Sequence, residues 1–131
     1  MRDVADVEVV AALNRGEDYL GKALDAPTSF FCGVAVNPTA DDLELEADRF
    51  RRKVAAGARF AMTQALFELE SLERFGERLG GWPIPVLLGV WPLRSVQLAL
   101  RLHNEVPGIS VPEPVLAELR DAGPDAPAVG L

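Results

Sequence analysis

The chain has 131 residues, 49% of them hydrophobic and 25% charged, which supports one domain with a real core and excludes a disordered chain. A net charge of −7 and a pI of about 4.7 argue against nucleic acid and anionic membrane surfaces as partners, because both carry dense negative charge.

In chain order, Val4–Leu13 reads as a helix ending near Asn14-Arg15-Gly16. The run Phe30-Phe31-Cys32-Gly33-Val34-Ala35-Val36 is nearly continuous in apolar character and predicts a strand. Over 41–56, Leu43, Ala47, Phe50 and Val54 recur at spacings of four, three and four, which is one face of a helix. Gly57 supplies its natural stop. Phe60-Ala61-Met62, leading into Thr63-Gln64, predicts a second strand. Leu69, Leu72, Phe75 and Leu79 repeat the helical pattern over 68–79, and Gly80-Gly81-Trp82-Pro83 ends it. Ile84-Pro85-Val86-Leu87-Leu88-Gly89-Val90 predicts a third strand. Over 94–104, Val96, Ala99, Leu100 and His103 share a face that Leu98 and Leu102 widen. A short helix follows Pro112 over Glu113–Asp121. The remainder, 123–131, opens Gly123-Pro124-Asp125-Ala126-Pro127 and reads as a disordered tail.

The first and third apolar runs do not alternate with polar residues. Such strands are expected to be buried on both faces, as in a parallel sheet covered by helices. Strand starts near 30, 60 and 84 give the βα rhythm of an α/β fold with right-handed crossovers. Two architectures fit. A (β/α)8 barrel needs ~250 residues, so this chain supplies a partial TIM barrel, three parallel strands alternating with helices. A flavodoxin-like open sheet fits the length but wants about five strands.

In either architecture ligands gather beyond the C-terminal ends of the strands, here Asn37-Pro38-Thr39, Gln64-Ala65 and Val90-Trp91-Pro92. The Gln64 carboxamide offers donors and an acceptor in one plane, suited to the edge of a heterocycle, or it ties down a loop. On the helix over 41–56 the acids Asp41, Asp42, Glu44, Glu46 and Asp48 precede Arg49, Arg51, Arg52 and Lys53. This order complements the helix dipole, and Glu46 can pair with Arg49. Arg49, Arg52 and Lys53 are also close enough to form an anion patch. His103, the single histidine, falls where a cation meets a helix C-terminus, with no metal-ligand spacing around it. Trp82 and Trp91 flank the third strand and read as packing residues, Trp91 at the ligand end.

Cys32 is the single cysteine, which excludes an intrachain disulfide and a Cys-rich zinc site; within a strand it reads as buried and inert. No apolar run approaches the ~18 residues of a membrane span. Met1-Arg2-Asp3 opens no signal-peptide core. The expected location is the cytoplasm.

Phe31-Cys32-Gly33-Val34-Ala35-Val36-Asn37-Pro38, then Arg49-Phe50-Arg51-Arg52-Lys53-Val54-Ala55-Ala56-Gly57-Ala58, then Thr63-Gln64-Ala65-Leu66-Phe67 resemble the second half of the methylenetetrahydrofolate reductase barrel. Leu88-Gly89-Val90-Trp91-Pro92-Leu93 and Val106-Pro107-Gly108-Ile109-Ser110-Val111-Pro112 continue it in order. With Ala12-Leu13-Asn14-Arg15-Gly16 upstream and His103-Asn104-Glu105 downstream, the chain is most similar to the reductase half of bifunctional homocysteine methyltransferase/methylenetetrahydrofolate reductases.

The resemblance implies that residues 1–122 form the C-terminal half of such a barrel and that the three strands are its fifth to seventh. It implies FAD and NAD(P)H as cofactors and methylenetetrahydrofolate, reduced to methyltetrahydrofolate, as substrate. Gln64 matches the family's folate-binding glutamine in a Thr-Gln-x-x-Phe setting. Asn37, Glu46, Arg49, Arg52 and Lys53 fall on its FAD contacts. Many relatives carry tyrosine at Asn37 and some carry aspartate at Glu46. A further folate contact falls near Gln97 or Leu98. The family's Arg-Gly-Asp loop and essential acid belong to its first four strands and have no counterpart in this sequence. No catalytic residue or metal ligand is therefore assigned. The expected partner is the remaining barrel half or a second copy. The alternatives are an inactive barrel fragment and a small flavin- or nucleotide-binding module.

Overall fold

The structure, a computed structural model, describes residues 2–130. Helix α1 spans Arg2–Arg15, followed by strand β1, Gly33–Val36. Helix α2, Leu43–Ala56, leads to β2, Phe60–Ala65, and α3, Glu70–Leu79, leads to β3, Val86–Gly89. Helices α4, Val96–Glu105, and α5, Glu113–Ala122, follow and pack against each other. A 3-10 turn over Gly123–Asp125 and a last helical turn, α6, Ala126–Val129, complete the described chain. The three strands lie in the order β1-β2-β3 and pair parallel throughout. This is an α/β arc of the kind expected from part of a barrel.

Local chemistry accounts for the helix ends. The Asp42 carboxylate caps α2 by accepting from Leu45 N at 2.9 Å, so this helix begins two residues later than the charge pattern alone suggests. Gly57, at φ 121°, closes α2 through its N–H to Lys53 and Val54 carbonyls. Ser95 caps α4 on Leu98 N at 3.1 Å. Asn14 fastens the segment before β1. Its side chain donates to Phe30 O at 2.9 Å and accepts from Phe30 N at 2.8 Å and Thr28 Oγ1 at 2.7 Å.

The sheet packs one face against α2 and α3. Val36, Ala47, Phe50, Ala61 and Phe75 are buried together there, with Val34, Leu43, Val54, Leu79 and Trp82 around them. Phe50, Phe75 and Trp82 form an aromatic triangle with ring centroids 5.6–6.4 Å apart. Trp82 is thus a packing residue, as the sequence suggests. A second cluster, centred on Leu93, Ala99, Leu102, Val111, Leu116 and Leu119, binds α4 to α5.

Two expectations are corrected. First, the strands are not buried on both faces. Ala61 is fully buried against the helices while its neighbour Met62 is 52% exposed on the other side, as is Leu87 at 56%. Apolar character marks what a strand can bury, and here only one face has a cover. Second, the segment beyond Ala122 is not coil: Ala126 is buried, and Gly130 O accepts from Leu93 N at 2.8 Å. Proline and glycine suggest coil by composition, yet proline fits the first turn of each short helix. Among the described residues no helix is long and apolar enough to cross a membrane.

Candidate functional site

Because all three strands run the same way, Asn37, Gln64 and Trp91 stand at one rim, the C-terminal edge of the sheet. On β2, Ala61 and Thr63 are buried toward the helices. Strand alternation therefore puts Phe60, Met62 and Gln64 on the uncovered face, with Gln64 uppermost. At the base of this face the Phe60 ring fills the space above Gly33, where a Cβ would come within 2.1 Å of it, and stacks on Phe31 at 5.5 Å. The face thus grades from aromatic at the bottom, through Met62 and Leu87, to a carboxamide at the rim.

A local irregularity shapes the rim beside Gln64. The register between β2 and β3 shifts between Met62 and Ala65. The buried Thr63 hydroxyl bridges this shift, donating to Gln64 O at 2.7 Å and accepting from Gly89 N at 2.9 Å. Leu66 N then donates to Gly89 O at 3.1 Å. Gly89 permits the approach, since a Cβ there would lie 2.6–2.9 Å from the Gln64 and Thr63 backbone. Thr63 and Gly89 lie within the sequence motifs but carry no assigned role there. The signal for them was a hydroxyl and a glycine placed at the ends of adjacent strands.

At the end of β1, Asn37 Oδ1 accepts from Thr39 N at 3.1 Å and Thr39 Oγ1 at 2.9 Å, forming a tight turn over the buried Pro38. Gly108, from the α4–α5 connection, reaches between Asn37 and Gln64. A Cβ built on it would lie 3.5 Å from Asn37 Nδ2 and 3.5 Å from Gln64 Cγ. The rim cluster is therefore Asn37, Gln64 and the Gly108 turn. Trp91 shares the rim and is 47% exposed. Gln97 is exposed and Leu98 half-buried, packed on the α4–α5 cluster.

The charged residues of α2 sit beside β1. Glu46, Arg49 and Lys53 follow at spacings of three and four and so share one stripe of the helix. Cys32 O accepts from Arg59 N, which turns Cys32, Val34 and Val36 toward β2 and leaves Ala35 and Asn37 facing the open edge. Side chains satisfy that edge. Lys53 Nζ donates to Ala35 O at 2.8 Å, and Glu46 Oε1 accepts from Asn37 N at 2.9 Å.

Lys53 is 5% exposed, and its charge is balanced by Asp3 of α1 at 2.8 Å. Arg52 pairs with Asp48 at 2.9 Å and lines a groove with Val4, Ala5 and Glu8 of α1. Arg49 is half-buried. His103 turns its ring toward the segment after α4, where Nδ1 accepts from Val111 N at 3.1 Å.

The hydrogen bond from Lys53, with its charge, holds the Asp3 carboxyl below the usual aspartate range. A lowered carboxylate value stabilises the fold above that range and ceases to do so as pH falls through the folded-state value. Urea midpoints of the native chain and Asp3→Asn should therefore differ at pH 7 and converge on acidification toward pH 3. A pH-independent gap would show that the pair contributes nothing through ionisation.

A protein-family model, methylenetetrahydrofolate reductase, matches residues 9–130.

Proposed function

The chain belongs to the methylenetetrahydrofolate reductase family, and from that premise we propose that it forms the folate-facing arc of a reductase barrel, with Gln64 reading the heterocycle of methylenetetrahydrofolate. The observation carrying this reading is the placement of Gln64. Its carboxamide stands at the ligand rim of a parallel sheet, above an uncovered apolar face, with Asn37 and Gly108 beside it. A planar donor–acceptor group above an apolar wall suits a flat heterocycle with a polar edge.

The family reading adds FAD and NAD(P)H. The residues assigned to FAD are Asn37, Glu46, Arg49, Arg52 and Lys53. Their chemistry fits: the cations of α2 suit a pyrophosphate, and the rim end of the stripe is acidic and amide-bearing. Phosphate at Lys53 would take the place that Asp3 holds, exchanging one anion for another. FAD, when bound, supplies the hydride carrier between NAD(P)H and the folate. This chain's own groups hold and orient, with Gln64 on the folate and the α2 stripe on the cofactor.

The described residues contain three parallel strands against the eight of a complete barrel. The proposal therefore assigns the chain, including the packed segment beyond Ala122, to the C-terminal half and places turnover in an assembly with the remaining strands, from a partner or a second copy. The similarity to bifunctional homocysteine methyltransferase/reductases and a cytoplasmic location belong to the same reading.

In the assembled barrel, Gln64→Ala should lower kcat/KM for methylenetetrahydrofolate by roughly 10- to 100-fold, the equivalent of about 1–3 kcal/mol from lost hydrogen bonds. Bound flavin, measured by absorbance, should be unchanged. Loss of flavin in this variant would reassign Gln64 to the cofactor, and unchanged turnover would remove it from the site.

A further inference from the structure

We propose that the Pro107–Gly108 turn is a positioning element for the Gln64 carboxamide, and that His103 is the residue that fastens this turn to the rim. The inference deepens the reading of Gln64 as the ligand-facing residue and rests on it.

The connection between α4 and α5 is tied at both ends. Where α4 stops, Val106 N still donates to Leu102 O at 3.2 Å, and Ile109 N closes back on Val106 O at 3.2 Å. Between them, Pro107 followed by Gly108 at φ 82° has the type II arrangement, in which proline presets the second residue and glycine accepts the positive φ of the third. On the far side, Val111 N donates to His103 Nδ1, in the last turn of α4. Val111 is buried and Ile109 packs on the α4–α5 cluster, so the segment cannot drift without opening that core.

The apex of this fastened turn meets the site. Gly108, glycine because of its positive φ, faces both side chains: a Cβ added there would stand in van der Waals contact, 3.5 Å from Asn37 Nδ2 and 3.5 Å from Gln64 Cγ. Asn37 is itself fixed, since its Oδ1 is engaged by Thr39. The Gln64 side chain is thus flanked at Cγ by the turn, with the fixed Asn37 amide on the turn's other side, while its backbone is held by the close approach of Gly89. A glutamine on an open face samples several rotamers, and its donor and acceptor point in varying directions. Confinement at Cγ reduces these to few, which decides which edge of a heterocycle the carboxamide can pair with.

The test is solution NMR of the full carbon- and nitrogen-labelled chain. In the native chain the two γ-methylene protons of Gln64 should be resolved, with a single set of side-chain amide signals. His103→Ala should merge the γ-methylene signals into one rotamer-averaged position while the backbone shifts of β1 and β2 stay in place. His103→Asn, whose Oδ1 occupies the position of the ring Nδ1, should restore the splitting. Averaged Gln64 signals in the native chain, or an unchanged Gln64 spectrum in His103→Ala, would overturn the proposal.

Should His103→Ala unfold the chain, Gly108→Ala is read instead. It retains the Val111–His103 bond and strains the turn at its apex, and an unmoved Gln64 there is equally fatal. Such a failure leaves the folate reading standing, because that depends on the turnover of Gln64→Ala. An ordered Gln64 whose removal leaves turnover unchanged would sink the folate reading alone.

Discussion

Gly89→Ala is expected to break the β2–β3 pairing at the rim, the largest effect of any single-methyl addition in the sheet. The new Cβ would sit 2.6 Å from Gln64 O and 2.9 Å from Thr63 O, and both obstacles are backbone. Side chains yield by changing rotamer, whereas a carbonyl in a ladder yields only by moving its strand. Overpacking typically costs about 1–3 kcal/mol, and a backbone clash belongs at or above the top of that range. The strand shift would also remove Gly89 N from the Thr63 hydroxyl, leaving a buried hydroxyl without that partner. The check is a urea titration together with hydrogen exchange at Gly89 and Leu66. Near-native protection at both amides would mean that the strands part more easily than their geometry suggests.

Phe50→Ala should be still more damaging to overall stability. Phe50 is 1% exposed and touches the helix, the sheet and the aromatic triangle at once. Truncating a buried phenylalanine costs about 3–5 kcal/mol, the spread reflecting how far the neighbours collapse into the space. Here Phe75 and Trp82 are held in place by each other and by Gly76, whose Cβ would meet the indole at 2.7 Å, so little collapse is available. A chain with one sheet face uncovered has little stability in reserve. Loss of the cooperative thermal transition is the expected result, and a transition shifted by only a few degrees would contradict it.

The helices were legible because amphipathic spacing is local. Leu43, Ala47, Phe50 and Val54 show the buried stripe of α2 without any knowledge of what covers it. The strands were legible in position and direction for a related reason: the βα rhythm forces parallel crossovers. What the chain could not disclose was cover. Phe31, Met62 and Leu87 look identical in sequence to core residues, and only the packing shows that they face outward. The tail misled through composition, since Pro124 and Pro127 start short helical turns as readily as they interrupt long ones.

At the site, Gln64 could be placed by its position after an apolar run. Gly108 could not, because its approach depends on how α4 and α5 dock rather than on anything near residue 108. Lys53 shows the same boundary. Charge order along α2 suggests a solvent-facing patch, and the docking of α1, which brings Asp3 over the ammonium, turns that cation inward.

The two margins of the sheet are unequal. Beside β1, an ammonium and a carboxylate occupy the backbone positions that another strand would need. Beside β3, Val86 and Leu88 turn their backbone groups outward with no such side-chain partner among the described residues. Any chain that extends this ribbon on the β1 side must first evict two charged groups, one of them already neutralised inside the protein, whereas the opposite side asks for no eviction. Accretion is therefore vectorial. The guarded margin resists casual pairing and yields only to a segment that offers the displaced charges somewhere better to go.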